Sequence, residues 1–368
     1  MKVVLAFDSF KGSLSAERLC EIADEELACI DPTIETVSCP MADGGEGTAD
    51  AMLISRHGEW IPLTVTGPLF GQKVEAGFAW FPDDKTALVE MACASGLPLV
   101  PPDQRNPLET TTLGTGELIR AAIERGAEKI LLAVGGSATT DGGIGAAAAL
   151  GWHFLGCDKN PVPLSGKGLA SISEMYLDAD ITLPPVEVLC DVTNPLCGPS
   201  GAAAVYGPQK GASAEMVGAL DAGLLHLAEL VGGKLADEPG AGAAGGLAFG
   251  AMIFFNARLV PGVETVMQAG GLISELAGAD WVITGEGKLD HQSVQGKVIC
   301  GVSGAASAVG VKVAAVAGSI QLTADELKRA GISESVSLME EGMAVEYAMA
   351  HAEPLFRERL QSLIENLL

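Results

Sequence analysis

At 368 residues the chain is too long for one small core, and two domains is the natural expectation. Apolar residues make up 48%, aromatics only 5%, and 47 residues are glycine, the make-up of a folded α/β enzyme with many tight turns and not of a disordered chain. Lys and Arg number 22 against 47 Asp and Glu, a formal charge of -25 that argues against nucleic acid or an anionic membrane as partner, so a phosphate ligand needs a local cluster or a metal ion.

The first segment, Val3 to Phe7, is an apolar run of the kind buried on both faces of a parallel sheet, and it stops abruptly at Asp8, Ser9, Lys11 and Gly12. It is too short for a signal peptide, and no apolar run reaches membrane-spanning length, which predicts a cytoplasmic protein. Ser13 or Ser15 can cap a helix carrying Leu19, Ile22, Ala23, Leu27 and Ile30 at helical spacing. A strand at 35–39 then runs into PMADGGEGTADAM. From about Trp60 to Glu90, WIPLTVTG, VEAGFAWF and TALVEM read as antiparallel strands, followed by a helix over 116–125 and a strand over 129–134. Residues 186–189 form a further strand. WVITGEG, KVAAVAGS and SVSLM then alternate with helical patterns near 298–308, from about Thr323, and toward Leu368. The pattern predicts a doubly wound α/β domain from both chain ends, residues 1–60 and 264–368, with a mixed α/β domain inserted at 61–263. A cleft between the two is the expected place for a site. Eight cysteines without C-x-x-C spacing indicate neither a zinc ribbon nor a disulfide framework.

Polar, glycine-bearing loops close three strands of the terminal domain: DSFKGS, MADGGEGT and TGEGKLD. They would bring Lys11, Asp43, Glu46, Glu286, Lys288 and Asp290 to one sheet edge, where open α/β sheets bind ligands. In the insert, VGGSATTDGGIGAAAAL leads from a strand into an alanine-rich helix, so its backbone amides can cradle an anion without a basic residue. Gly143-x-Gly145-x-x-Ala148 and Gly240-x-Gly242-x-x-Gly245 match the dinucleotide fingerprint formally, but neither follows a strand directly, which weakens a NAD reading. No Gly-Lys pair is followed by Ser or Thr, so the Walker A loop is absent. In CDVTNPLCGPSGAAAVYGPQKGA, Asp191 at a strand end can accept a proton from an attacking alcohol or bind magnesium, and Tyr206 and Lys210 lie in the loop beyond. Arg105 and Thr110 to Thr112, ahead of a helix, can hold a small carboxylate or phosphate, or the threonines can simply cap the helix.

Seven of these stretches, FDSFKGSLSA, PMADGGEGTADA, TTLGTGELI, VGGSATTDGGIGAA, CDVTNPLCGPSGAAAVYGPQKGA, PGAGAAGG and TGEGKLDHQSVQGK, together resemble the type I glycerate kinase family, in order from Lys2 to about Ser319. The resemblance implies ATP-dependent phosphorylation of D-glycerate, at the 2-hydroxyl, by a Rossmann-like domain with an inserted α/β domain. On that footing Asp191 is the expected base and Lys11 the cation at the transferring phosphoryl group. Asp8, Ser9, Asp43 and Arg105 are expected to hold glycerate. Gly135, Gly136, Ser137 and Thr139 would cradle the ATP phosphates, and Glu286 with Asp290 would hold Mg2+. An oligomer is left open. The alternatives are a nucleotide-dependent oxidoreductase and a noncatalytic sensor that closes on a small acid.

Overall fold

The computed structural model describes residues 1–178, 182–291, 293 and 297–367, so the 284–297 motif is described in part and Leu368 lies outside. In chain order the strands are β1 (Lys2–Phe7), β2 (Glu35–Ser38), β3 (Glu59–Thr66), β4 (Lys73–Phe81), β5 (Thr86–Glu90), β6 (Lys129–Ala133), β7 (Trp152–Leu155), β8 (Glu174–Leu177), β9 (Val186–Leu189), β10 (Arg258–Val260), β11 (Trp281–Leu289), β12 (Lys312–Ile320) and β13 (Ile332–Ser337). The chain divides into two compact units. Unit 1 comprises Met1–Asp43, Asp50–Arg56 and Gly262–Leu368, and unit 2 comprises Gly44–Ala49 and His57–Pro261. Residues 44–49 and 57–60, expected with the terminal domain, therefore cluster with the insert.

Unit 1 holds a parallel sheet in the order β13-β12-β11-β1-β2. Alternation along β1 explains why it is wound on both faces. Val3, Leu5 and Phe7 point to one side and pack with Leu19, Ile22, Leu27, Phe356 and Leu360 from helices Ala16–Ile30 and Ala352–Leu367. Val4 and Ala6 point to the other and meet Val263, Val266, Leu272, Val298 and Val302. Each large side chain so buried contributes about 1.5–3 kcal/mol. Ser15, not Ser13, caps the first helix by accepting from the Arg18 amide at 3.2 Å, while the Ser13 hydroxyl donates to the Phe10 carbonyl at 3.0 Å. The last helix is tied to the first by Arg357, which reaches Glu25 at 2.6 Å and Glu26 at 2.8 Å, and by the Arg18–Glu353 pair at 2.6 Å. Its Phe356 meets Phe7 and Phe10 edge to face, with ring centroids 5.4 and 5.9 Å apart.

Unit 2 holds a mixed sheet in the order β10-β9-β6-β5-β4-β3, antiparallel from β3 to β5 as the sequence suggested and parallel from β5 to β10. The expected helix at 116 starts earlier, at Leu113. Two helices escape a reading by periodicity. Ala214–Leu230 has apolar residues around most of its circumference, and Ala243–Phe254 opens with Ala244, Gly245 and Gly246 in left-handed backbone. The glycines of the second helix serve packing. A Cβ on Gly245 would stand 2.0 Å from the Thr139 carbonyl oxygen, and one on Gly250 would stand 2.3 Å from that of Gly142. The second fingerprint-like match is thus the price of seating a helix on the 139–142 backbone.

Candidate active site

The pairing of β1 with β11 places Phe7 opposite Gly285, and the Asp8 amide donates to the Gly285 carbonyl at 2.9 Å. Asp8, just past the end of β1, therefore sits beside Glu286, which lies within β11: that strand runs on to Leu289 through most of the TGEGKLD stretch expected as a loop. The chain leaving β2 is held alongside by the Met41 amide, which donates to the Phe7 carbonyl at 2.8 Å and delivers Asp43 to the same edge. Asp8, Ser9, Lys11, Asp43 and Glu286 line one cavity of about 530 Å3 within unit 1, together with Lys288 and Lys297. Five of the expected site residues are thus brought together.

Electrostatics at this edge are dominated by three carboxyls and one close cation. Burial pushes the Asp8 carboxyl up to about 7, and the Asp43 and Glu286 charges add to the effect, against Lys11 and the Ser9 amide, which donates to Asp8 Oδ1 at 2.7 Å. Desolvation pulls the Lys11 ammonium down, but Asp43, Asp8 and Glu286 outweigh it and hold it above its usual value. Its Nζ lies 3.2 Å from Asp43 Oδ2. Burial likewise raises Glu286, whose Oε1 is enclosed and accepts no hydrogen bond. Asp290 sits beside this group, paired with Lys288 at 3.0 Å, and its amide donates to Ser293 Oγ at 3.1 Å.

The remaining expected residues lie in unit 2. After β6 the 134–143 loop turns through Gly136, Gly142 and Gly143 in left-handed backbone, where a side chain would be strained. Its backbone runs so close to Gly45 that a Cβ on Gly135 would come within 2.5 Å of the Gly45 Cα. Gly136 is exposed, whereas Ser137 and Thr139 face inward. What holds them is Lys210, only 2% exposed, whose Nζ donates to Ser137 Oγ and to the Thr139 carbonyl, each at 2.6 Å. Burial lowers this ammonium to about 7, opposed by Asp141. Asp141 is itself raised by burial, although it accepts from the Thr112 amide and hydroxyl at 2.8 Å and from the Gly143 amide at 3.0 Å. Thr110 donates to the Ala138 carbonyl at 2.8 Å. The threonines at 110 and 112 thus brace the loop. Arg105 is half-buried with its Nε unpartnered, and its carbonyl packs where a Cβ on Gly211 would be 2.3 Å away. Asp191 is half-buried two residues past β9. The loop beyond it is fixed by Asn194, which accepts from the Tyr206 hydroxyl at 2.6 Å.

The sequence pattern of the Glycerate kinase family matches residues 3–368. The chain belongs to this family. A glycerate kinase of Bacillus subtilis is 44% identical over 96% of the chain and 94% of its own length. A glycerate 2-kinase of Escherichia coli is 43% identical over 92% of the chain and 91% of its own length. Among solved structures, a protein of Salmonella typhimurium described as glycerate kinase 2 superposes with a TM-score of 0.85 at 41% identity, covering 100% of this chain and 98% of its own. A glycerate kinase is a phosphotransferase acting on small molecules. Among the described residues, no helix is long and apolar enough to cross a membrane.

The expectation of Mg2+ can be set against the residues present. Among the described residues, no three His, Cys, Asp or Glu side chains stand together as a metal cage. Mg2+ rarely uses such a cage, taking one or two carboxylates plus phosphate oxygens and water. The enclosed, unpartnered Oε1 of Glu286 suits that mode, while Asp290 already faces Lys288. Sequence reasoning gave Lys210 no role and passed over Asp141 and Lys297. A lysine in a Pro/Gly loop carries no sign that it is buried.

Proposed function

We propose that the enzyme transfers the γ-phosphoryl group of ATP to the 2-hydroxyl of D-glycerate, with Asp8 as proton acceptor. The observation that carries the proposal is the position of the Asp8 carboxyl, buried beside Lys11 in the cavity of unit 1, where burial pushes it up to about 7. A carboxylate with that affinity for protons is matched to the task of a general base at neutral pH, and an ordinary aspartate is not. The 43% identity to a protein named glycerate 2-kinase supports the position of phosphorylation.

In the proposed reaction the glycerate hydroxyl oxygen attacks the γ-phosphorus and its proton passes to Asp8. The bond from phosphorus to the bridging oxygen breaks, and ADP leaves with that electron pair. Phosphoryl transfer asks mainly for positioning and charge neutralisation. Lys11 supplies a cation at the mouth of the cavity and keeps Asp8 from being neutral throughout the working pH range. Ser9 and Asp43 present acceptors and donors for hydroxyls. Glu286 would hold magnesium, which when bound neutralises charge on the donor phosphates. In unit 2 the backbone at Gly135 and Gly136 offers amides for anionic oxygen, and Arg105 offers an unpartnered guanidinium nitrogen for a carboxylate. Asp191 is the second candidate for the base.

The test is ADP release coupled to D-glycerate, Mg2+ and ATP, with phosphorus NMR of the product. Turnover yielding 2-phosphoglycerate is expected. A 3-phosphorylated product overturns the position, and glycerate phosphorylation from another donor, with none from ATP, overturns the donor.

A further inference from the structure

The cavity of unit 1 is larger, and of different chemistry, than the glycerate end requires. Part of its lining is apolar, contributed by Leu338 and Met339 after β13 and by Val345, Ala348 and Met349 of helix Val345–Ala350. Val345 and Met349 are 53% and 43% exposed. At about 530 Å3 the cavity falls in the range of roughly 300–1,000 Å3 that takes drug-sized ligands, whereas a three-carbon hydroxy acid has almost no apolar surface to place against methionines. Part of the lining is bare backbone. Gly287 and Gly318 both contribute to it, and the strands approach so closely that a Cβ on Gly318 would stand 2.3 Å from the Gly287 carbonyl oxygen. Side-chain-free backbone together with thioether and aliphatic side chains suits a planar ring.

Gln321 also lines the cavity as an exposed residue, and its backbone is pinned by its amide, which donates to the Leu289 carbonyl at 2.9 Å. A carboxamide offers a donor and an acceptor side by side, the complement of the amino group and ring nitrogen of adenine. Lys288 and Lys297 line the same cavity and offer cations for phosphate oxygens. Met349 also reaches the loop that carries Lys11, its Cε lying 2.9 Å from where a Cβ on Gly12 would stand.

We infer that this lining is the nucleoside subsite of the phosphoryl donor. Adenine lies between the glycine backbone and Met339, Val345 and Met349, and its edge is read by Gln321. The inference rests on ATP being the donor, as proposed above. Two variants of the full chain test it, Met349→Glu and Gln321→Ala, both at exposed positions. The readouts are KM for ATP, GTP and glycerate, the affinity of fluorescent mant-ADP, and inhibition by tripolyphosphate, which has no nucleoside. Met349→Glu is expected to raise the ATP KM and the mant-ADP Kd about tenfold, with the glycerate KM and tripolyphosphate inhibition held within about twofold. Gln321→Ala is expected to reduce the preference for ATP over GTP several-fold. Unchanged ATP KM and mant-ADP affinity in both variants overturn the subsite while leaving the donor intact, and so does equal weakening of tripolyphosphate. A wild-type enzyme that phosphorylates glycerate only from a donor without a nucleoside overturns the donor reading first.

Discussion

Asp8 donates its backbone N–H to the carbonyl of Gly285 at 2.9 Å, and that bond sets the residue that follows β1 beside Glu286 of the parallel strand β11. Burial at that position does most to raise the Asp8 carboxyl, and the charges of Asp43 and then Glu286 add to it.

Asp8→Asn should remove the proton acceptor and lower kcat by about 10²- to 10⁴-fold. The same change should make the protein more stable at pH 8. The folded carboxyl is raised from 3.8 to about 7, so its burden is absent below pH 3.8, grows through that interval and is complete above 7. At 1.36 kcal/mol per pH unit this is at most about 4 kcal/mol. Thermal melts of wild type and variant at pH 5 and pH 8 should diverge at the higher pH. Asp191→Asn separates the candidates, because loss of turnover there with Asp8→Asn still active would move the base to unit 2.

Lys11→Met should lower kcat more than it weakens nucleotide binding. It also takes away a charge that lowers Asp8, so the acid limb of the kcat/KM profile, expected near pH 7, should move upward. An acid limb that stays in place would show that the limb does not report Asp8.

Glu286→Gln should move that limb the other way, because the Glu286 charge raises Asp8. If its unpartnered Oε1 holds magnesium, the half-saturating Mg2+ concentration should rise about tenfold or more. A pH profile of kcat/KM at saturating Mg2+ reads the first effect, and titrating Mg2+ at fixed total ATP and fixed pH reads the second.

Lys210→Met should loosen the 137–139 segment, since Ser137 and the Thr139 carbonyl lose their shared donor. Amide hydrogen exchange there should speed up with little change at β1. The ammonium is lowered from 10.5 to about 7, so the unfolded chain binds the extra proton within that window and wild-type stability rises with pH across it. Denaturant midpoints at pH 7 and pH 9.5 should show the advantage of wild type over Lys210→Met growing at the higher pH.

The Asp8 end of the cavity was legible because it is written along the chain: an apolar strand that stops at Asp8, a second that runs into MADGGEGT and an apolar run that turns polar at TGEGKLD point to one sheet edge, although β11 continues through that last stretch to Leu289. Asp8, Ser9, Lys11, Asp43 and Glu286 follow from that rule. Gln321, Met339 and Met349 come from segments that reach the cavity through the order of β11, β12 and β13, which no local pattern records. Lys210 was illegible for another reason. Its burial reverses the usual preference of lysine, and only the three-dimensional neighbours Ser137, Thr139 and Asp141 make it tolerable. Likewise the glycines at 245 and 250 look like loop or nucleotide motifs until the 139–142 backbone is seen against them.

The place of β1 between β11 and β2 also orders the assembly of the site. As the chain is synthesised, Lys2–Phe7 must wait for Trp281–Leu289 to fill its second edge, and Phe7 and Phe10 wait longer still for Phe356. Residues 57–261 carry every strand of the other main sheet and can complete it meanwhile. A product cut short before helix Ala352–Leu367 would leave the strand under Asp8 uncovered, so catalytic competence waits for that helix.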